Sequence, residues 1–201
     1  MRKQLIIILI SVAAISSCRN ENNPPANIIS EFPNEVGNHW RYEYKPFSGS
    51  TSYIEVDIIG TTSLPSGHLA KIWVYKILNY SDTNFVAFDG QTATIYRRNL
   101  NGSIPQVYEK TRYLFPLQIG NVWRSQLDSI RVFANSTLTV PAGTFENTFA
   151  LSKRGQGPNV VTRDTIWFTP QVGMIKLKQL ELELGPVPGN GIWELVDYSL
   201  N

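Results

Sequence analysis

The chain has 201 residues, 42% of them hydrophobic, with 18 basic and 16 acidic side chains. Two of the basic residues, Arg2 and Lys3, precede an apolar run at the N-terminus; without them 16 basic residues face 16 acidic ones, and no net charge points to nucleic acid or to an acidic membrane surface. Cys18 is the only cysteine, so no intrachain disulfide braces the fold and stability must come from a hydrophobic core.

Residues 1–17 read as an export signal. Met1-Arg2-Lys3-Gln4 is a short basic start, and Leu5 to Ile15 is an apolar stretch. That stretch is too short to cross a bilayer core of roughly 30 Å as a helix, but it suits the hydrophobic region of a secretory signal. Ser16 and Ser17 supply the small side chains a signal peptidase needs before its cut. Ile15-Ser16-Ser17-Cys18 resembles the lipobox of bacterial lipoproteins. The resemblance implies a diacylglyceryl thioether on Cys18, cleavage before it, and acylation of the new amino group. Two or three acyl chains anchor firmly, at roughly 0.8 kcal/mol per buried CH₂. Residues 18–31 are then the lipidated cysteine and a polar tether containing Pro24-Pro25. Arg19, rather than Asp, follows the cysteine, which resembles the outer-membrane sorting pattern.

Residues 32–201 are long enough for one domain with an ordinary core. Their 5 Trp and many Tyr, Phe, Thr, Val and Ile favour β structure. A repeat organises them. Phe32-Pro33-Asn34-Glu35-Val36-Gly37-Asn38-His39-Trp40-Arg41 matches Phe115-Pro116-Leu117-Gln118-Ile119-Gly120-Asn121-Val122-Trp123-Arg124 at six of ten positions. Further matches follow in the same order. Leu64-Pro65-Ser66-Gly67 answers Val140-Pro141-Ala142-Gly143, Asp82-Thr83 answers Asp164-Thr165, and Asn101-Gly102 answers Asn190-Gly191. The two units are 32–112 and 115–200.

Each unit divides into six β segments. They are 39–45, 51–60, 68–79, 84–89, 92–98 and 106–112, then 121–126, 129–139, 145–153, 160–169, 173–184 and 191–200. Tyr53, Glu55 and Asp57 alternate with Ile54, Val56 and Ile58, as a half-buried strand requires. Ile175 and Leu177 are out of phase with Leu180, which predicts a bulge near Gln179 or a strand buried on both faces. No part of residues 32–201 carries a 3.6-residue period. The expected fold is all-β and mostly antiparallel, a sandwich or curved open barrel of about 12 strands built from two halves. Gly37 and Gly120 permit a positive φ, and the following Trp40 and Trp123 would each start a strand from a turn.

Chemistry-bearing residues are few. His39 and His68 are the only histidines, and their repeat counterparts Val122 and Thr144 cannot ligate zinc, so no metal site and no cofactor is expected. No G-x-S-x-G elbow and no S-x-x-K set is present. Glu181 and Glu183 would share a strand face with Cβ atoms about 7 Å apart, a spacing glycosidases use. Leu180, Leu182 and Leu184 on the other face explain the same pattern as an amphipathic strand. Trp40, Trp73, Trp123, Trp167 and Trp193 are either core or sugar-stacking platforms. Trp193, beside the Pro- and Gly-rich 186–191 stretch, is the candidate ligand-binding residue. Asp128-Ser129-Ile130 and Asp164-Thr165-Ile166 resemble the acceptor tripeptide of a periplasmic O-glycosylation system.

The F-P-x-x-x-G-N-x-W and P-A-G-T-F elements resemble those of small, uncharacterised all-β lipoproteins of Gram-negative bacteria. That resemblance implies fold type and envelope location but no reaction. The expected role is a non-enzymatic binding or assembly module, held at the outer membrane by its lipid, with an unidentified protein or glycan partner. The alternatives are a carrier or sensor enclosing an apolar or glycan ligand, and a hydrolase of envelope glycans acting through Glu181 and Glu183.

Overall fold

The computed structural model describes residues 31–99, 106–126, 128–156, 161–180 and 190–201. Residues 1–30, with the signal and Cys18, and the pair Glu181 and Glu183 lie outside the described residues. Twelve strands form: β1 (His39–Pro46), β2 (Ser52–Ser63), β3 (Leu69–Ile77), β4 (Tyr80–Phe88), β5 (Thr92–Asn99), β6 (Gln106–Leu114), β7 (Val122–Ser125), β8 (Asp128–Val140), β9 (Gly143–Gln156), β10 (Val161–Thr169), β11 (Gly173–Gln179) and β12 (Gly191–Ser199). The described residues contain no helix.

All twelve strands belong to one sheet, in the order β6-β5-β4-β3-β2-β1-β12-β11-β10-β9-β8-β7. Every neighbouring pair is antiparallel. Two six-stranded meanders are therefore joined edge to edge through β1 and β12. The sheet curls into a nearly closed barrel. Of the two architectures the sequence allows, the barrel forms. Register shifts in the β1–β12, β2–β3, β5–β6, β8–β9 and β10–β11 ladders bend the strands.

The free edges β6 and β7 face one another, and side chains bridge them. Trp123 Nε1 donates to the Arg112 carbonyl at 2.9 Å, and Ser125 Oγ donates to Glu109 at 3.1 Å. The Arg112 guanidinium grips the same carboxylate with bonds of 2.7 and 2.6 Å, which holds Glu109 below the usual carboxylate pKa.

The Gly-Asn-x-Trp corners fold alike. Gly37 N–H donates to the Ile58 carbonyl at 2.8 Å, and Gly120 N–H donates to the Val132 carbonyl at 2.9 Å. Ile58 N–H returns to the Asn38 carbonyl, and Val132 N–H to that of Asn121, both at 3.0 Å. The two glycines have φ of 95° and 94°. Each corner thus stitches the entry of its first strand to the second strand of its meander.

Two boundaries and one bulge depart most from the sequence reading. β4 begins at Tyr80 because Leu78 and Asn79 form a two-residue turn, with Leu78 itself at a φ of 50°. A leucine gives no turn signal. The bulge in β11 falls at Ile175, where Trp167 faces Lys176 and Phe168 faces Met174, rather than near Gln179. Finally, β11 stops at Gln179. Leu180 turns aside, its N–H donating to Asp164 and its carbonyl accepting from Arg163 N–H.

Candidate functional site: a cavity inside the barrel

Alternation along the strands sends one face of the sheet into the barrel. Burial of large aromatic side chains there is the main stabilising term, each such side chain burying roughly 150–250 Å². Trp40, Tyr42 and Tyr44 from β1 meet Ile54, Val56 and Ile58 from β2, and Ile175 and Leu195 from β11 and β12. Phe32 reaches in from the N-terminal side and packs with Phe88, Phe115 and Phe168, at ring-centroid distances of 5.4 to 6.3 Å. Trp73 lies between the two groups, stacked on Trp40 at 5.2 Å and on Phe32 at 5.8 Å.

These side chains do not fill the barrel. A cavity of about 290 Å³ remains, bounded by Phe32, Trp40, Trp73 and Trp193 on its aromatic wall. Ligand pockets begin at roughly this size. Its other wall is polar. Lys153 on β9 stands between Asp128 on β8 and Asp164 on β10, with Nζ–O distances of 3.2 and 3.7 Å. All three side chains are nearly buried. Burial works against the charge on Lys153, but Tyr113 and the two carboxylates outweigh it and raise its pKa. Tyr113 is itself buried, which pushes its hydroxyl up to about 12. Burial likewise raises the hydroxyl of Tyr75, which is hydrogen-bonded to Asn84. Both phenols are therefore neutral donors at physiological pH.

Three polar atoms on this lining have no hydrogen-bond partner in the protein: Asn84 Oδ1, Thr111 Oγ1 and Trp193 Nε1. Asn84 is 8% exposed and Thr111 3%. A buried polar atom left unpaired costs roughly 1–3 kcal/mol. The interior thus presents two acceptors and one indole donor beside an aromatic wall. That arrangement can hold a small molecule with an apolar body and a hydrogen-bonding group.

Trp193, the residue singled out from sequence, is half-buried on this lining and packs against Tyr42 and Tyr44. Trp40 is fully buried, its Nε1 donating to the Val172 carbonyl at 2.7 Å. Trp123 belongs to the β6–β7 seam. Trp167 packs beneath Lys176, whose Nζ lies 5.6 Å from the ring centroid. His39 bonds Asp57 at 2.7 Å and His68 bonds Ser66 at 3.0 Å. Among the described residues no group of three or more His, Cys, Asp or Glu is placed to hold a metal ion. Asp128 and Asp164 of the two glycosylation-like tripeptides turn inward to Lys153. The sequence reading missed this triad. Its one legible sign was charge at inward positions of alternating strands, Asp128 before Ile130 and Asp164 before Ile166.

No family profile matches the chain, and no curated protein is similar to it in sequence. Two solved structures are similar in shape. One, from Bacteroides fragilis, is described as an exported protein with a YmcC-like fold; it aligns with a TM-score of 0.53 at 12% identity, over 85% of this chain and 99% of its own. The other, from Parabacteroides distasonis, is described as a lipoprotein and aligns with a TM-score of 0.48 at 13% identity over the same shares. At this identity the first likeness is one of fold alone.

Proposed function

We propose that this protein is a non-enzymatic binding protein of the bacterial envelope, lipid-anchored at Cys18, that takes a small amphipathic molecule into its barrel. The observation that carries this reading is the cavity with three unpartnered polar atoms on its wall. The apolar part of the ligand stacks among Trp40, Trp73 and Trp193, and its polar group meets Asn84 and Thr111. Of the expected roles, the carrier or sensor is the one the interior supports. The anchor rests on the Ile15-Ser16-Ser17-Cys18 motif, and the outer membrane on the residue after it.

The test uses N-phenyl-1-naphthylamine, an apolar fluorophore with one N–H donor. Its emission rises on entering a dry site, and nearby tryptophans transfer energy to it. The parent protein is expected to bind it saturably at one site, with tryptophan emission quenched. Val86, fully buried on the cavity lining, offers the control. A Val86→Phe variant fills the space and is expected to weaken binding at least tenfold while remaining folded. Equal binding by both proteins would place the probe outside the barrel and refute the proposal.

A further inference from the structure

The even balance of charge conceals a segregation. On the outward face of β7 to β11, Arg124, Arg131, Arg154, Arg163 and Lys178 are exposed. None of the five forms an ion pair among the described residues. The acids on these strands are spent elsewhere: Asp128 and Asp164 face inward to Lys153, and Glu146 sits near the tip of the β8–β9 hairpin. The basic residues are also neighbours. Arg154 and Arg163 are directly opposite in the β9–β10 ladder, Ser129 pairs with both Arg124 and Arg154, and Lys178 lies across from Thr165. Arg124, Arg154 and Arg163 line one open groove, three cations to the one carboxylate of Asp128 on the same lining. Like charges directly opposite on a sheet destabilise it.

Exposed apolar side chains border the basic group. Val122 stands opposite Arg131 in the β7–β8 ladder, Phe133 follows two residues along β8, and Ile119 lies in the corner before β7. Basic residues beside insertable apolar ones match the surface of an anionic bilayer, where charge is met at the headgroups and apolar side chains enter below them. The tether points the same way. Glu31, at its end, accepts from Gln171 N–H in the β10–β11 turn, on the half of the barrel that carries the basic face. Residues 19–31 reach at most about 45 Å, so an anchored domain stays within contact of its bilayer.

We propose that this face, Arg124, Arg131, Arg154, Arg163 and Lys178 with Val122 and Phe133 beside them, docks on a bilayer surface rich in anionic headgroups. Docking lays the barrel on the membrane instead of leaving it to hang from the lipid. It does not depend on what the cavity binds.

Vesicle co-sedimentation tests it. The protein is the chain from Arg19 onward, which holds all twelve strands and every core cluster but neither the lipid nor the apolar segment. The vesicles are phosphatidylcholine alone or with about 30% phosphatidylglycerol. Binding is expected only to the anionic vesicles, and it should fall steeply between about 0.05 and 0.5 M NaCl as screening shortens the field. A triple variant, Arg131→Gln, Arg154→Gln, Arg163→Gln, is expected to weaken binding about 100-fold, roughly fivefold per residue. Arg41→Gln, Lys71→Gln, Arg98→Gln, with the same loss of charge on the first meander, should remain within about fivefold of the parent. The unfolding midpoints of both variants show that each is folded, and the salt series on the parent needs no variant. Equal binding to both vesicle types, or equal losses in the two triple variants, would overturn the proposal. So would displacement by millimolar inorganic phosphate at constant ionic strength, which would mark a discrete anion site. Naphthylamine binding by the first triple variant should be unchanged, so failure of either proposal is seen separately.

Discussion

Lys153 is the residue on which the polar wall turns. Its ammonium stands between two nearly buried carboxylates, 3.2 Å from Asp128 and 3.7 Å from Asp164. Lys153→Met would leave two buried charges facing one another, and breaking such a set costs about 3–5 kcal/mol. The alkaline side has its own sign. The folded pKa of Lys153 lies above its unfolded value, so its stabilising contribution is complete below about pH 10.4 and is lost as pH rises through the folded value. Urea unfolding of parent and variant at pH 7 and above 10 checks both points. A variant as stable as the parent at pH 7 would show that the triad is dispensable. Legibility varies residue by residue. Trp193 was singled out from its place beside a Pro- and Gly-rich stretch, yet its half-buried position against Tyr42 and Tyr44 depends on β1, about 150 residues away in the chain. Asn84 and Thr111 carried no signal, because an unpartnered atom is defined by its surroundings and not by its residue type.

The strands themselves were legible because alternation is a local property. Eleven of the twelve starts lie within two residues of the positions read from the sequence, and the exception, β4, follows a turn whose first residue is Leu78. The break in phase between Leu177 and Leu180 marks the end of β11 at Gln179 rather than a bulge there, and the bulge at Ile175 left no sign in the alternation because Ile175 and Leu177 remain in phase. The paired corners give the sharpest prediction at this scale. Gly37 and Gly120 share a φ near 95°, so alanine at either introduces strain of about 1 kcal/mol or more. Their surroundings differ. A Cβ on Gly37 would overlap the Asn201 side chain, while one on Gly120 meets nothing within 4 Å. Gly37→Ala should therefore lower the unfolding midpoint more than Gly120→Ala. It should also release the C-terminus, whose Asn201 N–H donates to Asn38 and whose side chain donates to the Val36 carbonyl. Equal midpoints for the two variants would count against this account of the corners.

At the scale of the molecule, two meanders share one sheet and enclose a space that neither encloses alone. β1, β3 and β12 supply Trp40, Trp73 and Trp193 of its aromatic wall, and β9 and β10 supply Lys153 and Asp164 of its charged wall. Sequence could indicate twelve strands and a repeat, but not closure. Closure depends on β1 finding β12 and on Trp123 and Ser125 bridging to β6. The cavity follows from closure, so it too lay beyond the sequence. So did the separation of charge, since net charge says nothing of which side chains point in. The glycan-hydrolase alternative keeps its own test in the Glu181→Gln, Glu183→Gln double variant, because both residues lie outside the described chain.

The measurement that bears most directly on the central claim is a crystal structure of the protein soaked with N-phenyl-1-naphthylamine. The account predicts the probe inside the barrel, its rings against Trp40 and Trp73 and its N–H within hydrogen-bond distance of Asn84 Oδ1 or Thr111 Oγ1. A barrel whose interior is closed by side chains, with the probe absent or bound only on the outer face, would contradict it.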